Sequence, residues 1–460
     1  MKKSFSKWLL IGMLAVGSVA CSDKDKEPGG NPDKPDMGSG DMEQMTPTES
    51  KKFLSDAAND FLSKFKAGDQ RSLIELCSYF SDRYGDLEMP ESWDVEATET
   101  VTPVTPKDLL KGLEKAMASG NSSTAGAVII SYVYSIDWEQ FKGIYKPGIN
   151  HWVKAGESND IIFQFNDMDN APCELKATAS SKNSEGQITW ADDYYSYEYE
   201  GIATEENTVN YKIPQEITVT LKQNNNTLVD SKVKSDIDVS GHKFNVNANT
   251  LAANIRTIVD LQGTDTKITQ SSSLQVSGET LLTSTAAING YRLCDFDYYK
   301  ELADKGNTED ALVALLQNGN ATVNVMNKVS IDATGSYSKD LYEALEGDFD
   351  SRNYNGSLID TEKAVTKALN VLNNNLTALV RFNNTKTVQA KMLWSSTYED
   401  YNGYYGDYRT YYIEPLIQFE QDKTTYSFEG YFERGFSSVE ETWADLQESY
   451  EKVWNSIASK

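Results

Sequence analysis

Residues 213–239, IPQEITVTLKQNNNTLVDSKVKSDIDV, decide the fold of this chain. Two runs with repeated Val, Ile and Thr, residues 213–221 and 228–239, flank the segment Gln223-Asn224-Asn225-Asn226, and asparagine favours tight turns. Runs of this composition bounded by turn residues are typical of β-strands. Because no helical segment separates them, the pattern predicts an antiparallel hairpin that belongs to a larger sheet.

The same strand pattern recurs on both sides of this hairpin. We predict further strands at residues 128–136, 161–165, 244–248, 255–261, 321–333, 376–382, 388–394, 411–419 and 424–432. Apolar residues at helical spacing predict helices from Pro47 to about Gly68 and at 70–83, 106–118, 309–317 and 361–374. Thr46 and Glu49 predict a capping box at the start of the first helix. On the second helix, Leu73, Ile74, Cys77 and Phe80 form the predicted apolar face.

The chain ends in a predicted amphipathic helix that begins at about Ser438. Its apolar face consists of Val439, Trp443, Leu446, Tyr450, Trp454 and Ile457. We therefore predict an α+β fold, in which a mostly antiparallel β-sheet is covered by N-terminal helices and by the C-terminal amphipathic helix. The chain is predicted to divide into residues 1–20, 21–45, 46–120, 121–300 and 301–460. These are an export signal, a tether, a helical segment, an antiparallel β region, and an α+β region that includes a β repeat.

The first twenty residues have the pattern of an export signal. Three lysines precede an apolar run at residues 8–20, and Cys21 follows a small residue. A run of this length is too short to span a bilayer as a helix, which needs roughly 20 residues. Ser18-Val19-Ala20-Cys21 resembles the lipobox of bacterial lipoproteins. This resemblance implies that Cys21 is lipidated and that the mature chain is attached to a membrane through the lipid.

The residues that follow Cys21 predict a mobile tether and a cellular location. The charged run at residues 22–27 is followed by a stretch rich in Pro, Gly and Asp that has almost nothing apolar to bury. An acidic, charged segment directly after the lipidated cysteine is similar to the surface-export signal of lipoproteins in the Bacteroides group. The resemblance implies a lipid-anchored protein of the outer membrane, exposed at the cell surface.

Charge and motif content exclude several classes of function. The full chain has a net charge of −26, and removal of residues 1–20 with their three lysines makes it −29. Such a chain repels nucleic acid. Only two histidines are present, and no zinc-protease, nucleophile-elbow, Walker A or dinucleotide motif occurs. Cys77, Cys173 and Cys294 leave an odd thiol, so at most one disulfide can form. We expect no cofactor and no catalytic residues.

One segment imitates a calcium-binding loop. Within residues 351–362, Asn353, Asn355 and Glu362 fall on ligand positions, and Gly356 falls on the tight turn. The leading position is Ser351, where a carboxylate is expected. The alternative, which we favour, is an Asn/Gly turn followed by a helix that has Asp360 as its N-cap.

Two tyrosine-rich segments are the second set of candidate binding residues. Tyrosine rings stack on sugar rings, and their hydroxyls with nearby carboxylates bond sugar hydroxyls. The candidates are Tyr194, Tyr195, Tyr197, Tyr199, Tyr401, Tyr404, Tyr405 and Tyr408. The alternative is a tyrosine-faced β ribbon without a ligand, since tyrosine has a high strand propensity and pairs well across strands.

The order of short motifs around these two segments is repeated within the chain. Phe-Asn, Ser-Ser, a Tyr/acidic insertion and Tyr-x-x-Pro follow each other in residues 163–217 and again in 381–417. We interpret this order as a duplicated β unit, in which each proline begins the returning strand.

The sequence thus predicts a non-catalytic, membrane-anchored envelope lipoprotein that acts as a binding or interaction module at the cell surface. Its expected partners are the membrane, through Cys21, and a polysaccharide or an envelope protein. Two alternatives remain open at this point. One is a lipid or apolar-ligand carrier, by analogy of fold alone. The other is a glycoside hydrolase whose two carboxylates follow no local sequence rule.

Overall fold

A computed structural model of the chain describes residues 42–88, 141–196, 201–295, 298, 315–346, 349–351, 357–403 and 406–458. These residues form a large, mostly antiparallel β-sheet together with several helices, which is an α+β fold as predicted. The helices are α1 (Pro47–Ser63), α2 (Arg71–Tyr84), α3 (Lys339–Glu346), α4 (Leu358–Asn375), α5 (Phe428–Phe432) and α6 (Ser437–Ala458). The chain divides into two compact units.

The first unit consists of residues up to Lys66, Thr266–Leu293 and Lys305–Glu448. Its strands are β11 (Lys267–Val276), β12 (Glu279–Gly290), β13 (Leu316–Val325), β14 (Val329–Ser336), β15 (Leu376–Phe382), β16 (Val388–Gly403), β17 (Gly406–Phe419) and β18 (Thr425–Ser427). They lie side by side in chain order, and each pairs with the next in an antiparallel arrangement.

The second unit consists of Ala67–Asp265, Cys294–Asp304 and Ser449–Lys460. Its strands are β1 (Gly143–Pro147), β2 (Trp152–Gly156), β3 (Ile161–Asn166), β4 (Pro172–Ala179), β5 (Asn183–Ser196), β6 (Gly201–Pro214), β7 (Glu216–Gln223), β8 (Asn226–Asp238), β9 (Lys243–Ala252) and β10 (Ile255–Gly263). The spatial order is β10-β9-β8-β7-β4-β3-β1-β2, and β5 and β6 pair with each other. Strands β1 and β3 are parallel.

The first helix is tied to the sheet of the first unit. Thr46 and Glu49 form the predicted capping box, because each side chain bonds the backbone N–H of the other residue. The ring of Phe53 stacks on Phe382 at the end of β15, with centroids 4.5 Å apart. At the other end of α1, Asp60 forms an ion pair with Lys328 at 2.6 Å. Apolar packing and one charge pair therefore hold α1 against β13–β15.

The core of the second unit forms where α2 packs on β1–β4. Leu76, Tyr145, Trp152 and Phe165 are buried there with Cys173. We predicted Cys77 on the buried face of α2, but Cys77 is exposed and the preceding residue, Leu76, is 2% exposed. The prediction was wrong for Cys77, whereas Phe80 of the same stripe packs against this core.

The hairpin predicted within residues 213–239 is confirmed. Strand β7 ends at Gln223 and β8 begins at Asn226, and the two residues pair with each other. Asn224 and Asn225 have φ of 49° and 65°, as a two-residue hairpin turn requires. Asparagine tolerates this left-handed conformation better than most residues, which explains its choice here.

Several predicted elements were wrong in extent or type. The strand predicted at 321–333 is two strands, because Met326 and Asn327 turn the chain with positive φ. The helix predicted at 309–317 overlaps β13, and the strand predicted at 424–432 becomes α5 after Ser427, which caps it. Helix α1 ends at Ser63, before Gly68. Helix α3 and strands β1, β2, β11 and β12 are among the elements that were not predicted.

Other predictions fall outside the residues that the structure describes. These are the export signal, Cys21, the tether up to residue 41, the helix at 106–118 and the strand at 128–136. No helix among the described residues is long and apolar enough to cross a membrane. Cys77, Cys173 and Cys294 are all free thiols.

Candidate functional site

The hairpin of β16 and β17 carries the candidate site. Its strands pair in one register from Ala390↔Phe419 to Gly403↔Gly406. Neighbouring strands pair only with the part of the hairpin farthest from its turn. Strand β15 pairs with β16 up to Lys391, and β18 pairs with β17 at residues 416–418. The outer part, with its tyrosines, is a ribbon whose further strand contact is a bridge between Thr410 and Asp350.

One face of this ribbon combines stacked rings with hydrogen-bonding oxygens. Side chains alternate between the faces of a strand, so Glu399, Tyr401, Tyr408 and Tyr412 share a face. The rings of Tyr401 and Tyr408 are stacked, with centroids 5.2 Å apart and planes 13° apart. The hydroxyls of Tyr401 and Tyr412 lie 2.8 Å apart. We call these four residues the tyrosine face.

Glu399 organises the polar edge of the tyrosine face. Its Oε2 accepts a hydrogen bond from the Tyr401 hydroxyl and another, at 3.4 Å, from the Tyr412 hydroxyl. The bond to Glu399 raises the pKa of Tyr401, so this hydroxyl stays protonated at neutral pH. The side chain of Tyr412 is 44% exposed. The face therefore offers solvent an apolar plate of rings beside a fixed group of oxygens.

The opposite face of the ribbon is occupied by contacts within the protein. Arg409 forms a bidentate pair with Asp400, at 2.6 and 3.1 Å, and its guanidinium carbon lies 3.8 Å from the centre of the Tyr398 ring. Glu362 of α4 accepts from the Tyr411 hydroxyl at 3.1 Å. Arg409 lowers the pKa of Asp400 through this pair. Asp400, Arg409 and Tyr411 are thus already paired within the protein.

The structure brings two of the predicted tyrosines together and leaves others untested. Tyr401 and Tyr408 are cross-strand partners. Tyr194 and Tyr195 lie near the end of β5, opposite Ala203 and Ile202 of β6, and their side chains are not among those described. Tyr197, Tyr199, Tyr404 and Tyr405 lie outside the described residues. Glu399 was not predicted, although its position two residues before Tyr401 in a strand places it on the same face.

The two tyrosine-rich segments lie on hairpins that occupy corresponding places in the strand order. Strands β4 and β7 pair as far as Ala179↔Ile217, and β5 and β6 continue the pairing from Asn183↔Pro214 to Ser196↔Gly201. The strand order β3-β4-β7 corresponds to β15-β16-β17. The prediction that proline begins each returning strand was wrong: Pro214 ends β6 and Pro415 lies within β17. The topology supports a repeat, and the duplication itself stays a prediction.

Of the three candidate ligands in the imitated calcium loop, only Glu362 is among the described residues. Glu362 is bonded by Tyr411 and lies 3.7 Å from Arg409, while Asn353 and Asn355 fall outside the described residues. The prediction of Asp360 as N-cap was wrong, because Ser357 caps α4 and its hydroxyl accepts from the Asp360 N–H at 3.3 Å. Among the described residues, no group of three or more His, Cys, Asp or Glu side chains could hold a metal ion.

One histidine lies between carboxylates, beside a buried thiol. His242 Nδ1 is 2.9 Å from Asp265, and its Nε2 is 3.8 Å from Asp295, which is buried. Burial raises the pKa of the neighbouring Cys294 to about 11. A thiol with that pKa remains protonated at neutral pH, and the thiolate is the nucleophile in cysteine chemistry. This arrangement therefore lacks the activated thiol of a cysteine-dependent hydrolase.

A polar cleft of about 570 Å³ lies at one end of β1, β3 and β4 in the second unit. Lys146, Gln164, Glu174 and Lys222 line it. Glycoside hydrolysis usually requires two carboxyl groups a few ångströms apart. Glu174 is the one carboxylate among the described residues that line this cleft. The cleft thus does not supply the pair that the hydrolase alternative needs.

Comparisons of the chain with known protein families, with curated proteins and with solved structures give no match, so no relative assigns a family or a function.

Proposed function

We propose that this chain is an exported, non-catalytic lipoprotein, attached through Cys21 to the outer membrane and exposed at the cell surface, that binds neutral polysaccharide at the tyrosine face. The leader and the acidic segment after Cys21 support the proposed location at the cell surface. We also propose that helices from both ends of the chain cover the sheet, as the bond between Ser55 of α1 and Ser438 of α6, at 3.0 Å, suggests. Such a cover would leave the tyrosine ribbon as a binding surface.

The observation that carries the proposal is the stack of Tyr401 on Tyr408 beside the oxygens of Glu399 and Tyr412. A sugar ring presents a face of C–H groups and a rim of hydroxyls, and these match a ring plate and its neighbouring acceptors. Tyrosine loses little conformational entropy on binding, because its side chain has only two χ angles. The stack and the hydrogen bonds to Glu399 restrict these angles further.

The charge of the chain selects among polysaccharides. With a net charge of −29 once residues 1–20 are removed, the protein repels uronic-acid and sulfated chains at low salt. Neutral glucans, mannans and xylans have no such penalty. We therefore expect retention by neutral polysaccharides in affinity electrophoresis, and weaker retention by acidic ones that improves as salt is added.

The test is a pair of alanine variants on opposite faces of one ribbon. Tyr408→Ala removes half of the ring stack and should reduce retention by the polysaccharide that the wild type binds. Tyr398→Ala is the matched control, since Tyr398 is 55% exposed on the other face. Tyr401→Phe keeps the ring but removes the hydroxyl and should have an intermediate effect. Equal retention of Tyr408→Ala and wild type, or loss in Tyr398→Ala alone, would refute the assignment.

A further inference from the structure

An apolar cavity of about 120 Å³ lies in the first unit between helices and sheet. Leu54, Ala57, Ala58 and Phe61 of α1 form one wall, at the spacing that places residues on one side of a helix. Strands β13–β17 form the opposite wall, and α5 closes the space with Phe428, Tyr431 and Phe432. The lining is almost entirely carbon.

The volume of this partly open cavity suits a small apolar ligand. An engineered apolar cavity of about 150 Å³ binds benzene. A space of about 120 Å³ therefore accommodates roughly six carbon atoms of an alkyl chain. Lys391 is the one charged residue among the described residues that line it, and its ammonium is paired with Glu420 at 3.2 Å.

A lysine without a carboxylate partner lies next to this cavity. The Lys51 ammonium is 4.7 Å from the centre of the Tyr431 ring, which lines the cavity, and 5.9 Å from that of Phe436. Lys51 also precedes Leu54 by three residues, so it lies one turn along the same side of α1. Among the described residues, no carboxylate lies within ion-pair distance of Lys51.

Lys51 differs in this respect from Lys52 and Lys64. On α1 itself, Lys52 pairs with Asp56 at 2.7 Å, and just after it Lys64 pairs with Glu279 at 3.0 Å. The chain has 69 acidic residues for 43 basic ones, so carboxylates are in excess. Partial burial lowers the pKa of Lys51, as expected for a cation that lacks a counter-charge. An anion that bound here would supply the missing partner.

We propose that this cavity binds the alkyl chain of a small anionic amphiphile, such as a medium-chain carboxylate, and that the Lys51 ammonium holds its headgroup. The chain would displace no ordered polar group, and the anion would bind beside the rings of Tyr431 and Phe436. This proposal does not depend on the polysaccharide proposal. The cavity is lined by Met392 and Ile417, whose strand positions place them on the opposite side of the sheet from Tyr401 and Tyr412.

Three ligands with one chain and different headgroups test the proposal. Octanoate, 1-octanol and octylamine are titrated into the full-length protein by isothermal calorimetry. We expect octanoate to bind tightest, octanol more weakly and octylamine least. Lys51→Met should weaken octanoate binding by about tenfold, which is the size of one charge-assisted contact, and should leave octanol binding unchanged. Lys51→Arg should restore octanoate binding, and Lys52→Met, at an exposed position of the same helix, should have no effect.

A second variant tests the cavity itself. Ala58→Leu places a larger side chain in the space and should abolish binding of both octanoate and octanol, while the melting temperature stays equal or rises. Failure of the wild type to bind any of the three ligands would overturn the proposal. Equal affinity for octanoate and octanol in both wild type and Lys51→Met would remove the role assigned to Lys51. Undiminished binding in a folded Ala58→Leu variant would place the ligand elsewhere.

Discussion

The side-chain amide of Asn373 bonds both backbone polar groups of Trp394. Its Oδ1 accepts from the Trp394 N–H at 2.8 Å, and its Nδ2 donates to the Trp394 carbonyl at 2.9 Å. Trp394 lies opposite Pro415, which has no N–H to donate, and the pairing of β15 with β16 ends at Lys391. Asn373, near the end of α4, thus takes the place of a strand partner at the point where the tyrosine ribbon leaves the sheet.

Replacement of Asn373 by alanine should destabilise the first unit. Two backbone groups would lose their partner, and each net hydrogen bond contributes about 0.5–1.5 kcal/mol. We expect the free energy of unfolding in urea to fall by about 1–2 kcal/mol. Asn374→Ala is the control, because Asn374 is exposed on the same helix. Equal loss in the two variants would mean that helix propensity, not the bond to Trp394, explains the effect.

The ion pair of Asp60 with Lys328 should make stability depend on pH. The hydrogen bond from Lys328 lowers the pKa of Asp60 in the folded protein. The stabilisation is therefore complete above the unfolded pKa of about 4 and is lost as pH falls through the lower, folded pKa. Because Asp60 is 34% exposed, solvent screening limits the contribution to about 0.2–1 kcal/mol.

Asp60→Asn should accordingly lower the free energy of unfolding at pH 7, and the difference from wild type should shrink as the pH is lowered below about 4. Asp56→Asn is the control, since both partners of the Lys52–Asp56 pair are mostly exposed. A deficit of the same size at every pH would show that the charge of Asp60 is not its cause.

The three cysteines of the folded part should differ in reactivity. Burial raises the pKa of Cys173 to about 11, and that of Cys294 to the same value, so their thiols are protonated at pH 8. Cys77 is exposed on α2, and because partial burial raises the pKa of its thiol too, its accessibility decides the order of reaction. A thiol reagent should modify Cys77 first in the native protein, and Cys173 and Cys294 only after unfolding. Rapid native labelling of a Cys77→Ser variant would contradict this order.

Calcium should have little effect on stability. The Glu362 carboxylate already accepts from Tyr411 and lies near Arg409, and Ser351 replaces the leading carboxylate of the imitated loop. We expect millimolar calcium to leave the melting temperature nearly unchanged. A clear rise that disappears in Glu362→Gln would instead identify Asn353, Asn355 and Glu362 as metal ligands.

The proposed lipid anchor can be tested by the cell fraction in which a cysteine variant is found. Cys21→Ser removes the thiol that the lipobox resemblance assigns to lipidation, so the variant should no longer fractionate with the membrane. Cys77→Ser keeps Cys21 and should remain membrane-bound. If the Cys21→Ser protein still sediments with membranes after a high-salt wash, the covalent anchor is refuted.

Local chemistry explains which parts of the fold could be predicted. Asn224 and Asn225 favour a left-handed turn in any context, and Thr46 with Glu49 forms a capping box within one helical turn, so both predictions are confirmed. Strands β11 and β12 escaped prediction because polar residues, such as the three serines at 271–273, interrupt the alternation of apolar side chains. They pair through contacts such as Ser272 Oγ to Ser284 Oγ at 2.9 Å, which their composition does not reveal.

The sequence by itself therefore determined the α+β class, the central hairpin, the starts of α1 and α6 and the excess of acidic residues, because each depends on neighbours along the chain. Only the tertiary structure decided which tyrosines share a face. Tyr401 meets Tyr408 and Tyr412 through the register of β16 with β17, and a shift of one residue would instead have placed Tyr401 on the same face as Arg409 and Tyr411. The cavity beside Lys51 likewise depends on how far α1 stands from β15, and that distance is set by packing between residues more than 300 positions apart, such as Phe53 and Phe382.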